Sequence, residues 1–397
     1  MKLPRSVRRP RVLVINKFYP PFVGGVEKVA ADIVAELSDK FDFHVLACQS
    51  RGKRSVERQG NVTVERCAAW GTVRSMPVSF EFLRRYQQLA PQFDLVHFHE
   101  PFPLGTLCGV AFGFRHAVVT FHSDVLRQRI LKQAYIPLRK LLLRKVNAIM
   151  PTSSNLGRHI KVLRQFRETV RPVPLGIENT NLVEVEGETG EIQSLRKRFS
   201  STCLYLAVGR CVGYKGFNIL IDAFSKLDRG DLVIVGDGPL RSSLQQRARD
   251  RGVASRVHFA GKLSDRELAL HFHACDVFVL PSVLETEAFG LVQLEAMACG
   301  KPVINTDLPT GVPYVSLHGE TGITVPVGQI NPLAKAMRHM CDDSQMREAF
   351  GRNAKRRFLD NFQRSQMGEN VLAVYREVLG DSIGQLSLTE ERRKQAA

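Results

Sequence analysis

The sequence predicts an α/β protein made of two consecutive units, each built on a doubly wound parallel sheet. The length of 397 residues suits two domains of about 150–200 residues each. Short β-branched, apolar runs alternate with helical patterns along the chain. A polar, acidic stretch between residues 176 and 199 breaks this alternation, which then starts again. The restart indicates a second domain rather than a longer first one.

The break sets the predicted domain boundaries. We expect a first domain over residues 1–180, a second over 181–365, and a last helix with a tail over 366–397. Ten strands are predicted from apolar runs of strand length, five in each half. In chain order they are Arg11–Asn16, His44–Ala47, Leu95–His99, Ala117–Phe121, Ala148–Thr152, Leu204–Val208, Asp231–Val235, Val257–Ala260, Val277–Leu280 and Pro302–Thr306.

The charge is concentrated in the first half. The chain has 56 Lys and Arg against 39 Asp and Glu, and residues 1–180 hold 29 of the bases but only 13 of the acids. A one-sided basic field attracts anionic lipid surfaces or nucleic acid. Sparse aromatic interleaving and the lack of a recognition motif disfavour nucleic acid. An anionic membrane surface is therefore the expected partner.

Cysteine usage and hydropathy suggest the compartment. The eight cysteines show no C-x-x-C and no paired spacing, which favours a reducing cytoplasm over a disulfide framework or a zinc site. No apolar run reaches the ~18–20 residues of a membrane-spanning helix. The N-terminus passes from basic residues straight into a strand, without the apolar core of a signal peptide. We expect a cytoplasmic enzyme, peripheral at the inner face of the plasma membrane.

The stretch PSVLETEAFGLVQLEAMACGKPVI, residues 281–304, carries the strongest chemical signal. It places Glu287 and Glu295 with seven residues between them, around a turn of small and apolar residues. Glycine at 290 allows backbone to approach a ligand closely. Free N–H groups at the start of the following helix suit a phosphate. The pattern predicts a phosphate cradle with one acid before it and one inside it.

This stretch resembles the Glu-x7-Glu motif of the retaining, nucleotide-sugar-dependent glycosyltransferases of family 4. The resemblance implies the GT-B fold, two Rossmann-like doubly wound domains facing a central cleft, with the last helix crossing back onto the first domain. It implies that Glu287 faces the donor sugar and that Glu295 binds the ribose hydroxyls. The backbone near the diphosphate would then be that of Phe289, Gly290, Leu291 and Val292.

Two glycine-rich loops add to the expected donor site. Gly24 and Gly25 form a tight turn that opens an amphipathic helix, but G-x-G-x-x-G is absent, so a dinucleotide fingerprint fits poorly. In the resembling family this loop lies over the donor phosphate. Gly236 follows a strand in VIVGDGPL and is expected to line the nucleotide pocket through its backbone. The plain alternative for the first loop is an ordinary strand-to-helix turn.

A pair of cations follows the first strand of the second half. Gly209 and Arg210 come just past that strand, and Lys215 stands at the head of the next helix. A diphosphate leaving group gains negative charge as its bond to the sugar breaks, so fixed cations stabilise the transition state more than the ground state. The family uses this pair in that role. The alternative is that both are ordinary surface charges.

Histidines and acids bear on the question of a metal. His122 follows a predicted strand, and family members often have a His there that contacts the donor sugar or the acceptor. His97 and His99 lie on one face of another strand end, but no third ligand follows, so they are expected to be ordinary strand-end histidines. No convincing Asp-x-Asp is present. Because Arg210 and Lys215 can supply the charge, we expect neither a metal nor a cofactor.

A basic segment over residues 126–146 carries seven Lys and Arg and no acid, with leucines at roughly helical spacing. A basic amphipathic helix is typical of a membrane-surface element, and each Lys or Arg near an anionic surface contributes ~1 kcal/mol. The alternative is a helix packed on its own domain with a solvated basic face.

The sequence therefore predicts a retaining, metal-independent hexosyltransferase. It would move mannose or a UDP-hexose-class sugar from a nucleoside diphosphate to a hydroxyl of a glycan or polyprenol-linked acceptor. Residues 304–328 resemble bacterial polysaccharide-assembly members, which implies surface polysaccharide or lipopolysaccharide synthesis. Two alternatives stay open, a GT-B epimerase or phosphorylase and a catalytically silent, membrane-associated subunit that only binds nucleotide sugar.

Overall fold

A computed structural model describes residues 8–22, 24–49, 52–73, 76–123, 129–199 and 202–380. Its strands are β1 Arg11–Ile15, β2 Asp42–Cys48, β3 Ser55–Gln59, β4 Val62–Cys67, β5 Gly71–Val73, β6 Met76–Val78, β7 Leu95–Glu100, β8 Ala117–Phe121, β9 Ala148–Pro151, β10 Leu204–Val208, β11 Asp231–Val235, β12 Val257–Gly261, β13 Val277–Leu280, β14 Val303–Thr306 and β15 Gly322–Val325. Its helices are α1 Gly25–Leu37, α2 Phe80–Leu89, α3 Pro103–Phe112, α4 Arg129–Lys145, α5 Ser154–His159, α6 Thr180–Glu186, α7 Thr189–Arg196, α8 Phe217–Phe224, α9 Arg241–Asp250, α10 Asp265–Ala274, α11 Val292–Ala298, α12 Val312–Val315, α13 Ile330–Asp342, α14 Ser344–Asn361 and α15 Arg364–Leu379.

The chain forms two compact units. The first contains the chain up to Thr152, the segment Ile160–Pro174 and the chain from Arg364 onward. The second contains Ser153–His159 and Leu175–Gln363. The main passages between units thus fall at 175 and 364, where the sequence placed them at 181 and 366.

The first unit is built on a seven-stranded sheet in the order β3-β4-β2-β1-β7-β8-β9. All neighbours are parallel except β3 and β4. Every residue of β7 and β8 is buried, as expected for parallel strands covered on both faces. The five strands predicted in this half are confirmed. The sequence missed β3 and β4 of this sheet and the three-residue strands β5 and β6. The antiparallel edge strand β3, SVERQ, is polar and largely exposed, and β4, VTVERC, is only partly buried.

The second unit is built on a six-stranded parallel sheet in the order β12-β11-β10-β13-β14-β15. Its five predicted strands are confirmed, and only the four-residue edge strand β15 was missed. The strand order reverses at β10, so the gap between β10 and β13 is the switch point at which open α/β sheets bind ligands. Two Rossmann-like α/β units are therefore present, as the sequence predicts.

The last helix belongs to the first unit. α15 packs on α1, and the hydroxyl of Tyr375 lies 2.7 Å from His97 Nδ1 in the core strand β7. Near the end of α15, Glu377 accepts a hydrogen bond of 2.7 Å from Arg171. Ring contact between Tyr375 and Phe41 adds apolar packing. The C-terminal helix is thus part of the same core as the N-terminal strands.

The predicted basic helix is only partly described. α4 begins at Arg129, so Leu126 and the rest of 124–128 lie outside the described residues, as does the tail beyond Gly380 with its basic run. Pro137 lies inside α4 rather than splitting it. Among the described residues no helix has both the length and the hydropathy needed to cross a bilayer.

A buried carboxylate fixes β4 to its neighbours. Glu65 is fully buried and accepts hydrogen bonds from Arg85 Nε at 2.6 Å and Arg54 Nε at 2.9 Å, while His44 Nε2 lies 3.0 Å from its other oxygen. Burial alone would raise the pKa of Glu65. The hydrogen bonds from His44 and Arg85 and the arginine charges outweigh burial and lower that pKa to about 2.

The shift makes the first unit sensitive to acid. Because the pKa of Glu65 is lower in the folded than in the unfolded chain, its stabilisation is present above the ordinary value of 4.5 and is lost as pH falls toward 2. We expect Glu65→Gln to lower the free energy of unfolding by about 3 kcal/mol at pH 7, since it removes a buried carboxylate that pairs with Arg85 and Arg54 and has a lowered pKa. The penalty should shrink steadily between those two pH values. Urea unfolding followed by circular dichroism measures it. Glu377→Gln, in an exposed pair with Arg171 of the same unit, is the control and should cost under about 1 kcal/mol at any pH. A penalty for Glu65→Gln that does not change with pH would contradict this assignment.

Candidate functional site

The polar residues of the second unit gather at the carboxyl ends of its parallel strands. The loop after β10 carries Arg210 and Lys215, the loop after β11 carries Gly236, and the loop after β13 carries Glu287. The loops after β10 and β13 flank the switch point of the sheet. Doubly wound sheets bind ligands at this edge because the strand order diverges there and opens a crevice.

A buried ion pair joins the two loops across the switch point. Lys215 Nζ donates a hydrogen bond of 2.5 Å to Glu287 Oε2, and both side chains are about nine-tenths buried. The hydroxyl of Ser282 donates to the same oxygen at 2.9 Å. Two groups of opposite charge that are removed from water need each other to offset their desolvation. The pair therefore fixes the loops and places a cation and a carboxylate at one point.

Two glycines let these loops come together. Gly216 has φ of +69°, and a Cβ there would lie 2.0 Å from the carbonyl oxygen of Pro281 in the facing loop. Gly236 has φ of +125°, and a Cβ would lie 2.1 Å from the carbonyl oxygen of Gly209. Both positions combine a left-handed backbone with no space for a side chain. The sequence predicts that Gly236 lines the nucleotide pocket through its backbone. The structure shows that this glycine also allows contact between two loops.

Buried hydroxyls hold the acidic loop from behind. Thr310 Oγ1 donates to the backbone oxygen of Glu287 at 2.9 Å, and Thr306 Oγ1 donates to the backbone oxygen of Ser282 at 2.6 Å. Sequence reasoning missed Ser282, Thr306 and Thr310 as supports of the site. The signal available was their position after β13 and β14, at the same edge of the sheet.

The turn between the two acids is fixed by a buried amide pair. Gln293, fully buried at the start of α11, donates to the backbone oxygen of Phe289 at 3.2 Å, and Asn305 donates to its amide oxygen at 2.9 Å. The ring of Phe289 is buried, so this residue can offer only its backbone to a ligand. Glu295 lies one turn into α11 and is half-buried. Leu291 directly precedes α11 and Val292 is its first residue, at the end of the helix where N–H groups lack intrahelical partners.

Arg210 lies apart from the ion pair, on the wall of an open cavity of about 640 Å³. The other lining residues are Gly236, Asp237, Gly238 and Lys262. Asp237 Oδ1 accepts a hydrogen bond of 2.7 Å from the N–H of Gly238, which identifies it as a turn-former. Lys262 was not predicted. It follows β12 directly, so the rule that placed the other residues at strand ends would have found it. The cavity thus has two exposed cations of the second unit on its wall.

In the first unit, His122 belongs to a column of buried histidines. His99 Nδ1 lies 2.9 Å from His122 Nε2, and these two rings are stacked with centroids 5.2 Å apart. The rings of His97 and His99 are tilted by 31° with centroids 4.4 Å apart. Both nitrogens of His97 are bonded to hydroxyls, those of Tyr375 and Thr120, each at 2.7 Å. His97 therefore has no nitrogen left for a metal, as expected for a strand-end histidine.

The column is uncharged at neutral pH. Burial lowers the pKa of His97 and of His122 to about 3 and holds that of His99 well below 6.5. His99 Nε2 is buried without a hydrogen-bond partner among the described residues. A buried N–H without an acceptor is rarer than a buried bare acceptor. This favours the tautomer in which His99 Nδ1–H donates to His122 Nε2 and the proton of His122 sits on Nδ1.

The glycine loop of the first unit has a carboxylate of its own. Glu27, buried in the first turn of α1, lies so close to Gly24 that a Cβ on the glycine would meet its Oε2 at 2.1 Å. The acid already provides the negative charge that a helix N-terminus favours. A donor phosphate at Gly24 and Gly25 would have to displace this side chain or approach beside it. The role of the two glycines stays a prediction.

The structure thus groups the predicted residues in three places. Lys215 and Glu287 form one ion pair, and Arg210 and Gly236 line one cavity. The N–H of Gly209 donates to the backbone oxygen of Val235 at 2.9 Å, next to Gly236. His122 lies in the first unit with Gly24 and Gly25. Among the described residues no three His, Cys, Asp or Glu side chains are grouped so as to hold a metal ion. All eight cysteines are free thiols.

Two family models match the chain, one in each half. Residues 23–180 match the model described as Glycosyltransferase Family 4, and residues 195–357 match the model described as Glycosyl transferases group 1. The second match contains the ion pair and every residue that lines the cavity.

Curated relatives match over nearly their whole length. The D-rhamnosyltransferase WbpZ of Pseudomonas aeruginosa is 34% identical over 356 residues, which cover 89% of this chain and 92% of the relative. The O-antigen chain mannosyltransferase C of Escherichia coli is 28% identical, covering 93% and 99%. Among solved structures, Anabaena Alr3699/HepE in complex with UDP superposes with a TM-score of 0.77 at 20% identity, covering 93% and 100% of the two chains, and so shares the fold.

The ion pair can be tested by a double-mutant cycle. We expect Lys215→Met and Glu287→Gln each to destabilise the second unit by about 3 kcal/mol, because each leaves a buried partner unsatisfied. The double variant should be less destabilised than the sum, with a coupling of about 2–3 kcal/mol in urea unfolding. The exposed pair Lys355–Glu186 of the same unit is the control, with a coupling under about 1 kcal/mol. Additive losses at Lys215 and Glu287 would show that the pair does not hold the loops.

Proposed function

The chain belongs to the family 4 glycosyltransferases, which have the GT-B fold, and we propose that it is a retaining, metal-independent hexosyltransferase. It would transfer a sugar from a nucleoside diphosphate to a hydroxyl of a glycan or polyprenol-linked acceptor in surface polysaccharide or lipopolysaccharide synthesis. The observation that carries this proposal is the buried Lys215–Glu287 pair at the switch point of the second sheet. The cation complements the negative charge of the diphosphate, and the carboxylate can accept hydrogen bonds from the sugar hydroxyls.

The cations would act on the leaving group. Lys215 and Arg210 follow the same strand end, and Lys262 lies on the cavity wall with Arg210. As the bond from sugar C1 to the diphosphate oxygen breaks, negative charge grows on that oxygen. Cations fixed by the protein stabilise this charge without reorganising, an effect worth about 10²–10³ in kcat per donor group. Three such side chains can therefore do the electrostatic work that a divalent metal does in other transferases.

Glu287 would contact both the donor sugar and Lys215. Its Oε2 accepts from Lys215 and Ser282, which keeps the side chain in place beside a cation. We infer that its other oxygen faces the donor sugar. Glu295, one turn into α11, would accept hydrogen bonds from the ribose hydroxyls. The backbone from Phe289 to Val292 would supply N–H groups to the diphosphate.

The reaction we favour proceeds on one face of the sugar. The C1–O bond to the diphosphate breaks, the acceptor oxygen bonds to C1 on the same side, and a phosphate oxygen of the leaving group takes the acceptor proton. No described side chain is placed as a committed nucleophile, and Glu287 is the second choice for that role. His122, neutral and bonded to His99, would position donor or acceptor rather than carry a proton, because its pKa lies near 3.

The names of the similar proteins favour mannose over the UDP-hexoses as the donor sugar. The names of the two described above contain D-rhamnose and mannose, and D-rhamnose is 6-deoxymannose. Both sugars have an axial 2-hydroxyl, so one pocket geometry serves both. We therefore place GDP-mannose ahead of the UDP-hexoses as the expected donor class.

We also propose that the enzyme works in the cytoplasm, peripherally at an anionic membrane surface. Eight free thiols suit a reducing compartment. Arg144 and Lys145 are exposed at the end of α4, a helix that contains no acid. A polyprenol-linked acceptor would be presented from such a surface.

A donor panel tests the transferase proposal. GDP-mannose, UDP-glucose, UDP-galactose, UDP-GlcNAc and dTDP-rhamnose are assayed for binding and slow hydrolysis, with EDTA present. We expect one donor to turn over at an undiminished rate in EDTA. Lys215→Ala and Glu295→Ala should each reduce that turnover by about 10²-fold or more.

Lys335→Ala, which removes an exposed lysine of α13, is the matched control and should leave turnover unchanged. Binding without turnover even when polyprenol-linked acceptors are added would favour the silent subunit. Sugar isomerisation without an acceptor would favour the epimerase. If no donor binds, the transferase assignment is wrong.

The stereochemical outcome tests retention. Once a donor and an acceptor are known, NMR of the first-formed product should show the anomeric configuration of the donor. The expectation follows from the single-face reaction, in which no inverting attack by a side-chain-activated hydroxyl occurs. An inverted product would exclude this mechanism and point to a general base.

A further inference from the structure

We propose that Asn16 and His99 are positioning residues that fix His122 in the tautomer with its proton on Nδ1, so that His122 offers a hydrogen-bond donor to an oxygen of a substrate. The inference deepens the proposed transferase and rests on it for the role of His122. Neither Asn16 nor His99 has a part in the chemistry described above. Two buried polar atoms that lack partners carry the inference.

Asn16 and His99 are neighbours at the switch point of the first sheet. The strand order places β2 on one side of β1 and β7 on the other, so the gap between β1 and β7 is that point. The parallel register sets Val14 opposite His97. Asn16 and His99 lie two residues further along the two strands, with backbones ~4.8 Å apart. Because side chains alternate along a strand, all four lie on the same face of the sheet.

Each of the two side chains has a buried polar atom without a hydrogen-bond partner among the described residues. Asn16 is 0% exposed and His99 is 1% exposed. The two atoms are Asn16 Nδ2 and His99 Nε2. Asn16 Oδ1 accepts from the N–H of Lys17 at 2.9 Å, which fixes the orientation of the amide. Buried polar atoms without partners are uncommon, and here two of them occur side by side.

The hydrogen bond between His99 and His122 allows two arrangements of protons. Burial lowers the pKa of both rings, so each is uncharged at neutral pH and carries one N–H. In the first arrangement His99 Nδ1–H donates to His122 Nε2, which leaves His99 Nε2 bare and puts the proton of His122 on Nδ1. In the second, His122 Nε2–H donates to His99 Nδ1, which leaves a buried N–H at His99 Nε2 and a bare Nδ1 at His122.

Asn16 distinguishes between these arrangements. Its NH2 group presents only N–H, so the second arrangement would set two buried donors side by side without an acceptor, which is unfavourable. In the first arrangement a donor lies beside a bare nitrogen, and such complementary dipoles attract strongly in a buried site of low dielectric. Asn16 therefore stabilises the first arrangement, and His99 transmits this preference to His122.

The ring of His99 is held between two other rings. Its centroid lies 4.4 Å from that of His97 and 5.2 Å from that of His122. Both nitrogens of His97 are bonded to hydroxyls, which can donate or accept, so His97 fixes the ring of His99 in space without choosing a tautomer. Among the described residues, His99 is the only side chain that is hydrogen-bonded to His122.

The favoured tautomer limits what His122 can bind. Its Nε2 is occupied by His99, so Nδ1 is the nitrogen that remains for a substrate. With the proton on Nδ1, this nitrogen can only donate, and its partner has to be an oxygen with a lone pair. A sugar hydroxyl of the donor or of the acceptor fits this requirement. A donor whose direction is already fixed does not have to reorganise when the substrate binds.

The tautomer can be measured in the full chain without a substrate. Selective 15N labelling of the eleven histidines, followed by long-range proton–nitrogen NMR, distinguishes a protonated ring nitrogen from a bare one. His99→Asn and His122→Gln assign the resonances. We expect a proton on Nδ1 of His122 and bare Nε2 atoms in both His99 and His122. A proton on Nε2 of His122 would overturn the inference.

Asn16→Asp tests the link between Asn16 and His99. The substitution exchanges the Nδ2 group for an oxygen and keeps the acceptor for the N–H of Lys17. Since a carboxylate accepts where the amide donates, we expect Nε2 of His99 to become protonated. Thr152→Val, which removes another buried polar atom of the same unit, is the control and should leave the histidine resonances unchanged. A bare Nε2 of His99 in Asn16→Asp would show that Asn16 does not act on this ring.

Turnover of GDP-mannose distinguishes positioning from packing. His99→Leu removes the bond to His122 and should lower turnover by about tenfold or more. His99→Asn can replace the Nδ1–H by an amide N–H and should restore most of that loss. Tyr375→Phe removes a buried hydrogen bond to His97, is the matched control, and should change neither turnover nor the tautomer of His122. Circular dichroism checks that each variant is folded. Equal losses in His99→Leu, His99→Asn and Tyr375→Phe would show a packing effect and overturn the inference.

The two proposals fail separately in these experiments. A chain that turns over its donor while Nδ1 of His122 is bare keeps the transferase assignment and loses the positioning role. A chain with the expected tautomer that turns over no donor loses the transferase assignment and, with it, the substrate contact of His122. Comparing hydrolysis with transfer identifies the substrate. A loss of hydrolysis in His99→Leu places the contact on the donor sugar, and a loss of transfer alone places it on the acceptor.

Discussion

The buried pairing of Lys215 with Glu287 is the interaction on which the second unit's site depends. Neither charge could remain at the edge of a packed sheet alone, since burying an unpaired ion costs several kcal/mol. Together they close the loops after β10 and β13 onto each other, and Gly216 is what makes this closure possible. The same pairing holds a cation and a carboxylate where the strand order reverses. The same two side chains thus hold the loops together and take part in the proposed chemistry.

The side chains that support this ion pair are more deeply buried than Lys215 and Glu287 themselves. Ser282, Thr306 and Thr310 each contribute one hydroxyl, and the amide pair of Gln293 and Asn305 fixes the turn between the two acids. The three hydroxyl residues and Asn305 lie in or after the parallel strands β13 and β14, whose residues are all buried. A parallel sheet covered by helices leaves its polar loops at one edge, so the site and its supports are assembled there together.

In the first unit, burial affects the charge of polar side chains. Its histidine column is kept neutral by desolvation and is tied by Tyr375 to the last helix of the chain. Glu65 is held ionised by His44, Arg54 and Arg85, since their hydrogen bonds and charges outweigh its desolvation. These polar groups are fully inside.

The sequence by itself determined the α/β class and ten of the strands, and it predicted residues for a donor site. Alternating apolar runs are a local property, and the Glu-x7-Glu stretch with its glycines is contiguous, so both can be read without coordinates. Only the tertiary structure decided which of those residues meet. The pairing of Lys215 with Glu287 joins residues 72 apart, and Lys262 reaches the cavity of Arg210 from another strand end. Strand patterns fix where polar loops begin, but the order in which strands pair fixes which loops become neighbours.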